Sequence, residues 1–299
     1  GILEHLEPAG VHSGDSTAFR PPFSISYSMI KEIEDKSTTL AKALGVKGLL
    51  NIQFAIKDDT LFILEANPRA SRTMPFVSKV TGNQIIKAGT LLMLGHSLDS
   101  IKKTTNYLNS STNKVAIKKA IFPWSRFPAE DTMLGPEMKA TGEVLGIGRS
   151  FGVALNKAYA AAGVEINENE KGIFVSLSDQ EKPNFIKIVK TYSDLGFKIY
   201  STYGTGEYLK NNEINSTIVG RADETFPTSL TILQDKLISL VINTPTFANE
   251  YTDGWKIRRL SHETGVAVVS SVREAEAFLK AFLETTKSFE DMEAIQNVS

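Results

Sequence analysis

The chain has 299 residues, 33 Lys+Arg against 34 Asp+Glu for a net charge of −1, 41% hydrophobic and 22% charged residues, and no cysteine. This balance describes an ordinary globular protein, excludes disulfides and thiolate chemistry, and offers no broad basic surface for nucleic acid or an acidic membrane. No apolar run reaches the ~18 residues that a membrane-spanning helix needs, and the length predicts about two domains of ~150 residues. The opening GILEHLEPAG has no Met, no basic region and no apolar signal segment, and starts in a strand-like run. The chain is therefore expected to be a piece of something longer, and the lack of cysteine is compatible with a cytoplasmic setting.

Gly1 to Leu6 reads as a short strand carrying His5. Glu7 to Arg20 reads as a polar loop, in which Gly10-Val11-His12-Ser13-Gly14-Asp15-Ser16 lets backbone approach a ligand because glycine lacks Cβ. The plain alternative is a surface loop with an exposed His12. Pro21-Pro22 stop regular structure. Ser28 is placed to cap a helix running to about Leu44, with Met29, Ile30, Ile33, Ser37, Leu40, Ala41 and Leu44 on its inner face and Gly45 ending it.

Asn51 to Phe76 carries the most chemistry. Leu50, Ile52, Phe54 and Ile56 alternate with Asn51, Gln53, Ala55 and Lys57, and Phe62, Leu64 and Ala66 alternate with Leu61, Ile63, Glu65 and Asn67, which predicts a hairpin with one buried face. Asp58-Asp59-Thr60 is the turn. Pairing Ile52 with Ala66, Phe54 with Leu64 and Ile56 with Phe62 sets apolar opposite apolar, and puts Gln53 opposite Glu65 and Asn51 opposite Asn67. Gln53, Glu65 and Asn67 then share one face as oxygen donors, suited to Mg²⁺ or Mn²⁺ with phosphate oxygens. Pro68 stops the strand, and the loop after it bears Arg69 and Arg72, whose forks suit phosphate. A solvated hairpin face with ordinary charges is the competing reading.

Gly82 to His96 reads as an apolar helix, Leu98 to Asn113 as a polar connection, and Val115 to Trp124 as a strand whose Lys118 and Lys119 face solvent by default. Phe127 to Gly146, with Glu137 and Glu143, is a glycine-punctuated loop without a generic motif. Ser150 caps a helix from Phe151 to Ala162. Gly163 to Gly172, GVEINENEKG, is the best linker, dividing the chain at 163/164.

Beyond the linker, strands read at Ile173–Ser176, Phe197–Ser201, Ser216–Val219, Leu237–Ile242 and Val266–Val269. Helices read at Pro183–Leu195, Gly204–Asn211, Thr228–Gln234, Tyr251–Glu263 and Val272–Phe282. That alternation predicts a five-stranded parallel sheet covered by helices, with ligands beyond the carboxyl ends of the strands. Those ends carry Ser176 and Lys182, Thr202 and Thr205, Arg221, and Asn243-Thr244. Hydroxyls and glycine at a helix start, with two cations nearby, suit an anion, although ordinary helix capping accounts for the threonines equally well. No carboxylate or histidine stands out there as a base, and His262, in a predicted helix, reads as structural. Glu284 to Ser299 reads as a helix end and a frayed tail.

Three segments carry a resemblance. Glu65 to Lys79 resembles the E-x-N-P-R-x-x-R-T-x-P-F-V-S-K signature of carbamoyl phosphate synthetase large subunits. Glu4 to Ser16 is similar to the E-H-x-E-x-A-G-V-H-S-G-D-S segment, and Leu134 to Gly146 to the L-G-P-E-M-x-x-T-G-E-V-M-G segment, of the same family. The resemblance covers about Gly1 to Phe282. It implies an α/β and α+β fold: the C-terminal part of an ATP-grasp domain (residues 1–163), then a Rossmann-like, methylglyoxal-synthase-like regulatory domain (residues 164–299).

By that resemblance ATP lies against Gly10, Val11, His12 and Ser13, with Gln53 and Glu65, and Mg or Mn on Gln53, Glu65 and Asn67. Arg69 and Arg72 act on the transferred phosphoryl group, and His5 lies near the site. Lys118, Glu137 and Glu143 are secondary candidates in the pocket wall and carbamate passage. Ser176, Lys182, Thr202, Thr205, Arg221 and Asn243 are implied contacts of an effector such as UMP or IMP. Arg221 stands where the pattern has Lys, and Asn243-Thr244-Pro245-Thr246 replaces the aspartate-bearing loop of methylglyoxal synthase, which weakens a lyase reading. The implied activity is carbamate phosphorylation in glutamine-dependent carbamoyl phosphate synthesis, for pyrimidine or arginine. The implied partners are a glutaminase small subunit and a homo-oligomer through the regulatory domain, with no nucleic acid or membrane. No upstream phosphate loop or adenine segment is found, so the chain alone is expected to be inactive. A nucleotide-binding module without chemistry and a triose-phosphate lyase are the alternatives.

Overall fold

The computed structural model describes residues 1–105, 114–127, 130–164, 172–221, 224, 227–244 and 252–285. The linker residues 165–171, most of the connection after residue 105, Pro245-Thr246 and the tail beyond 285 lie outside them. The first half runs β1 (Glu4–His5), β2 (Ala18–Arg20), α1 (Tyr27–Ala43), β3 (Asn51–Lys57), β4 (Thr60–Asn67), α2 (Thr73–Thr81), α3 (Ile85–Met93), α4 (Leu98–Thr104), β5 (Val115–Ile121), a 3-10 turn at Trp124–Arg126, β6 (Gly142–Gly148) and α5 (Phe151–Ala161). The second runs β7 (Gly172–Ser176), α6 (Lys182–Asp194), β8 (Lys198–Ser201), α7 (Tyr203–Asn211), β9 (Thr217–Ile218), α8 (Ser229–Gln234), β10 (Leu240–Asn243), α9 (Asp253–Thr264), β11 (Ala267–Val269) and α10 (Val272–Thr285).

The expected parallel sheet is present, in the order β11-β10-β7-β8-β9. Its period-two alternation feeds two cores. Ile173 and Val175 pack with Phe185, Val189, Ala275 and Phe278 on one face, and Phe174 packs with Leu233, Val241 and Ile257 on the other. Both faces are buried, as parallel strands require.

β1, β2, β5 and β6 form an antiparallel sheet. α5 lies on it so closely that a Cβ on Gly146 would stand 2.1 Å from the Ala154 carbonyl. α2 brings Phe76, Val77 and Val80 onto Ala116 of β5. Phe151, Ala154, Leu155, Ala158 and Tyr159 of α5 belong to the same cluster as Ile173, Phe278 and Ala281 of the second half, so one continuous core joins the two halves. Tyr159 meets Phe278 edge-on, centroids 4.7 Å apart.

Several expectations are corrected. Ser26, not Ser28, caps α1 by accepting the Met29 N–H, and Leu44 is exposed. The stretch before Phe76 is not loop throughout, because α2 begins at Thr73 with Pro75 in its first turn, where no intrahelical N–H is needed. The apolar run after it is shorter, and α4 occupies the start of the expected connection. β6 runs through the glycine-punctuated loop, since its glycines admit α5. The hairpin keeps the Ile52/Ala66, Gln53/Glu65 and Asn51/Asn67 pairs, but an irregularity after Gln53 shifts Phe54 onto Ile63 and Ile56 onto Leu61. Asp58 and Asp59, both at positive φ (49 and 56), make a two-residue turn that pairs Thr60 with Lys57, so β4 has one residue more than β3 and must bulge. Among the described residues β3 and β4 pair only with each other, and Ile56, Phe62, Ile63 and Leu64 are exposed, so the expected buried face is not covered. No helix among the described residues is long and apolar enough to cross a membrane.

If the shared core makes the halves one folding unit, Leu155→Ala, at a fully buried position between them, lowers stability by about 2–5 kcal/mol. Denaturant unfolding followed by circular dichroism should keep one transition; a transition confined to one half would show that the core is not shared energetically.

Candidate functional site

Polar side chains gather in two clusters. The first is built on the connection between β1 and β2. The Glu7 carboxylate closes it by accepting the Thr17 N–H (2.6 Å) and hydroxyl (2.8 Å). Asp15 is 0% exposed and accepts the N–H groups of Lys139 (2.8 Å) and Ala140 (2.9 Å). The His12 N–H donates to the Gly135 carbonyl (2.8 Å), and His12 Nδ1 accepts the Gly14 N–H (3.0 Å). Residues 10–16 are thus fastened against 135–140.

Arg72, at the start of α2, donates to the Gly14 carbonyl (3.1 Å) and lies 3.4 Å from Met138 Sδ. A Cβ on Gly14 would come within 2.8 Å of Arg72 Nη2, so glycine is required for this approach. Lys118, expected in solvent, is 2% exposed and donates to the Ser13 carbonyl (3.0 Å). Lys119 also points inward, to the Thr17 hydroxyl (3.2 Å) and the Tyr159 ring (4.7 Å). Both point inward because β5 is a central strand covered on both sides. Burial lowers the pKa of Lys118 against the pull of Glu143, and burial raises that of Glu143 against Lys118 and Arg72. Glu143 Oε2 is buried without a hydrogen bond.

The fold therefore gathers His12, Ser13, Arg72, Lys118 and Glu143. Gly10 is exposed at φ 111, beside Val11, whose N–H donates to the Pro8 carbonyl (3.3 Å). Glu137 is exposed one residue before Met138. His5 is half-buried, and its desolvation, with Lys118 and Arg273 nearby, lowers its pKa to about 4, leaving a neutral imidazole at pH 7.

On the hairpin, Gln53 stands opposite Glu65, and Asn67 Nδ2 donates to Glu65 Oε1 (3.0 Å). Among the described residues no three His, Cys, Asp or Glu side chains converge for a metal. A cation here would have one carboxylate and amide oxygens, a donor set that fits Mg²⁺ or Mn²⁺ when phosphates complete the shell. Arg69 is exposed and donates to the Ala70 carbonyl (3.1 Å).

The second cluster lies at the carboxyl ends of the parallel strands. Thr202 stands at the position before α7, and its hydroxyl donates to Thr205 Oγ1 (3.2 Å), which also accepts the Leu177 N–H (3.0 Å). Lys182, the first residue of α6, pairs with Asp179 (2.6 Å) and sits 3.7 Å from where a Cβ on Gly204 would be, beside the first turn of α7. Asn243 Nδ2 donates to the Ser176 carbonyl (3.3 Å), which also accepts the Thr244 N–H (3.1 Å). Ser176, Lys182, Thr202, Thr205 and Asn243 are brought together. Arg221 is not: its side chain is 74% exposed, 4.0 Å from Asp253.

The sequence reading missed Asp15, Asp131 and Arg258. Arg258 is buried, donates through Nη1 to Asn243 Oδ1 (2.7 Å), and pairs through Nε (3.0 Å) and Nη2 with the Asp131 carboxylate. Arg259 beside it donates to the carbonyls of Trp124 (2.6 Å) and Phe127 (2.7 Å). Two successive arginines in the helix read over Tyr251–Glu263 were the available signal. His262 is half-buried beside the Trp124 ring (centroids 5.8 Å apart), its pKa lowered to about 4 chiefly by desolvation.

Residues 3–101 match the family model "Carbamoyl-phosphate synthase L chain, ATP binding domain", and residues 184–270 match "MGS-like domain". The chain is 38% identical over 303 residues to the carbamoyl phosphate synthase large chain, C-terminal section, of Aquifex aeolicus, covering 97% of this chain and 56% of that protein. It is 38% identical to the corresponding section from Methanocaldococcus jannaschii, covering 97% and 48%. Against the Brucella melitensis large chain it is 41% identical, covering 94% and 25%. The chain thus spans about half, or less, of the length of these relatives. Among solved structures, the biotin carboxylase subunit of pyruvate carboxylase matches 51% of this chain and 43% of its own at 15% identity and a TM-score of 0.36, a likeness too slight to carry an argument.

The desolvated titratable groups set a pH dependence. His5 and His262 bind protons in the unfolded chain below 6.5 but in the folded chain only near 4, so their stabilisation is present above 6.5 and lost as pH falls toward 4. Burial raises Glu7 from 4.5 to about 7 despite Lys119, so its contribution has the opposite sign, present below 4.5 and lost as pH rises through about 7. Glu7→Gln removes the opposing group. The melting temperature of the variant should climb more steeply between pH 4.5 and 6.5 than that of the native chain; equal slopes would mean that Glu7 folds ionised.

Proposed function

The chain is homologous to the C-terminal part of carbamoyl phosphate synthase large chains, and from that premise we propose that its first half contributes to ATP-dependent phosphorylation of carbamate. The observation that carries this reading is Arg72, held on the Gly14 carbonyl beside buried Lys118 and half-buried Glu143. A guanidinium anchored there is set to receive charge that develops on a transferring phosphoryl group, the main work a protein does in such a step. Gly10, Val11, His12 and Ser13 line the nucleotide side, and Arg69, exposed before α2, is a second phosphate contact. Gln53, Glu65 and Asn67 would hold Mg²⁺ or Mn²⁺, which when bound neutralises phosphate charge. His5, neutral at pH 7, does not exchange protons there and shapes the pocket instead. Glu143 and Lys118 form the polar wall through which carbamate would arrive, and Glu137 stands at its rim.

The second half binds a nucleoside monophosphate effector, UMP or IMP, through Ser176, Lys182, Thr202, Thr205 and Asn243. The first turn of α7 supplies free N–H groups and the ammonium of Lys182 supplies charge. Arg221 reaches only the outer part of such a ligand. The nearby carboxylate, Asp179, is exposed and paired with Lys182, which is not the desolvated setting of a catalytic base and disfavours a lyase. In the complete enzyme we place a glutaminase small subunit as partner, a homo-oligomer through the second domain, and a cytoplasmic location. Residues 1–299 by themselves are expected to make no carbamoyl phosphate.

Calorimetric titration of UMP, then IMP, tests the effector site. Lys182→Ala should weaken binding by about tenfold or more, the worth of a charge-assisted contact; unchanged affinity, or no binding of either nucleotide, would sink the assignment. For the first half, Mn²⁺ binding with ATP, followed by the paramagnetic resonance of the ion, should weaken about tenfold in Glu65→Ala. An unaltered signal would remove Glu65 from the metal site.

A further inference from the structure

Arg258 stands between the two clusters and touches both halves of the molecule. It comes from α9 and is 6% exposed. Its Nη1 donates to Asn243 Oδ1 (2.7 Å), while Nε (3.0 Å) and Nη2 hold the two oxygens of Asp131. The fork thus fixes the Asn243 amide with its oxygen toward the guanidinium and its NH₂ toward the Ser176 carbonyl (3.3 Å). At the strand ends Asn243 presents a donor, the polarity that an anionic ligand needs.

On the other side Asp131 opens the segment 131–140. Its own carbonyl accepts from Lys139 Nζ (3.1 Å), and the backbone N–H groups of Lys139 and Ala140 end on Asp15. Asp15 adjoins Gly14, whose carbonyl holds Arg72 (3.1 Å). Hydrogen bonds therefore lead from Asn243 through Arg258, Asp131 and Lys139 to Asp15, and the peptide bond between Asp15 and Gly14 carries the path on to the Gly14 carbonyl that holds Arg72. Every member is at least partly buried, so the charged links are screened less than surface ion pairs.

We propose that Arg258 is a positioning residue that orients Asn243 in the strand-end site and couples occupancy of that site to the segment 131–140 and the Arg72 loop. The inference rests on the strand ends being an effector site and adds the route by which they act. A guanidinium is needed because one side chain must bond an amide and a carboxylate at once; lysine carries the charge but not the fork.

Hydrogen–deuterium exchange on the full chain, with UMP as the probe, tests it. UMP should protect peptides around residues 174–182 and 202–208. It should also slow exchange by about fivefold or more in peptides covering 131–140 and 10–16. Asp131→Asn should keep the first response and lose the second, whereas Arg258→Lys, which also frees the Asn243 amide, should weaken the first and lose the second. Local protection without a remote response in the native chain would overturn the coupling. So would a remote response that persists in both variants while only their melting temperature falls, since that is what a purely structural clamp predicts. If UMP protects nothing even locally, the strand-end reading fails first, and the coupling with it.

Discussion

The first cluster depends on one buried carboxylate. Asp15 is wholly removed from water and bonded to two backbone N–H groups across a separation of 124 and 125 residues. An unpaired carboxylate in that position would be costly, so the loop and the 131–140 segment must stay together for the first half to fold. The consequences are geometric. With residues 10–16 pinned, Gly14 turns its carbonyl to Arg72, and Ser13 turns its carbonyl to Lys118. Both cations are thereby anchored on neutral carbonyls, with Glu143 as the carboxyl beside them.

The junction of the halves divides its labour between apolar and polar contacts. Adhesion comes from the core that α5 shares with β7 and α10. Register comes from polar links at its edges. Arg258 and Arg259 reach to Asp131, Trp124 and Phe127, Arg273 pairs with Glu4, and Glu284 accepts the Gly152 N–H at the start of α5 (2.6 Å). Buried ion pairs add little net stability once desolvation is counted. Their directional bonds instead select one relative placement among the many that a greasy surface would tolerate, and that placement sets the spacing between the two candidate sites.

Burial also decides protonation. Lys118 and His5 come from the same antiparallel sheet and meet in a dry region, so the imidazole loses its proton and the ammonium is held less tightly than in water. Lys119, one residue on, is also desolvated, which lowers its pKa, but Tyr159, Glu7 and Glu274 around it outweigh that and raise it. Adjacent lysines with opposite shifts show that side-chain chemistry here depends on the strand face, not the residue type.

The parallel half was legible because its information is local. Each β–α step carries its own apolar run, cap and stop, and Ser176, Lys182, Thr202, Thr205 and Asn243 fall at the strand ends by position alone. The upper hairpin register, with Gln53 opposite Glu65, was likewise written in the apolar alternation. The lower register was not, since the turn takes two residues at positive φ rather than three and leaves one to bulge. Nor did alternation reveal that the hairpin face stays uncovered, because a period of two states which side is apolar and not what lies upon it. Lys118 and Lys119 were misplaced for the same reason: a strand's neighbours come from residues 18–20 and 142–148, and only their arrival makes it central. In the parallel half the sequence by itself determined the element types and which residues stand at the strand ends, all set by neighbours along the chain, whereas α2, α4 and β6 of the first half were read as loop or connection. Asp15, Asp131 and Arg258 acquired their roles only in the tertiary structure, since each bonds a partner at least 15 residues away and such pairings have no local signature.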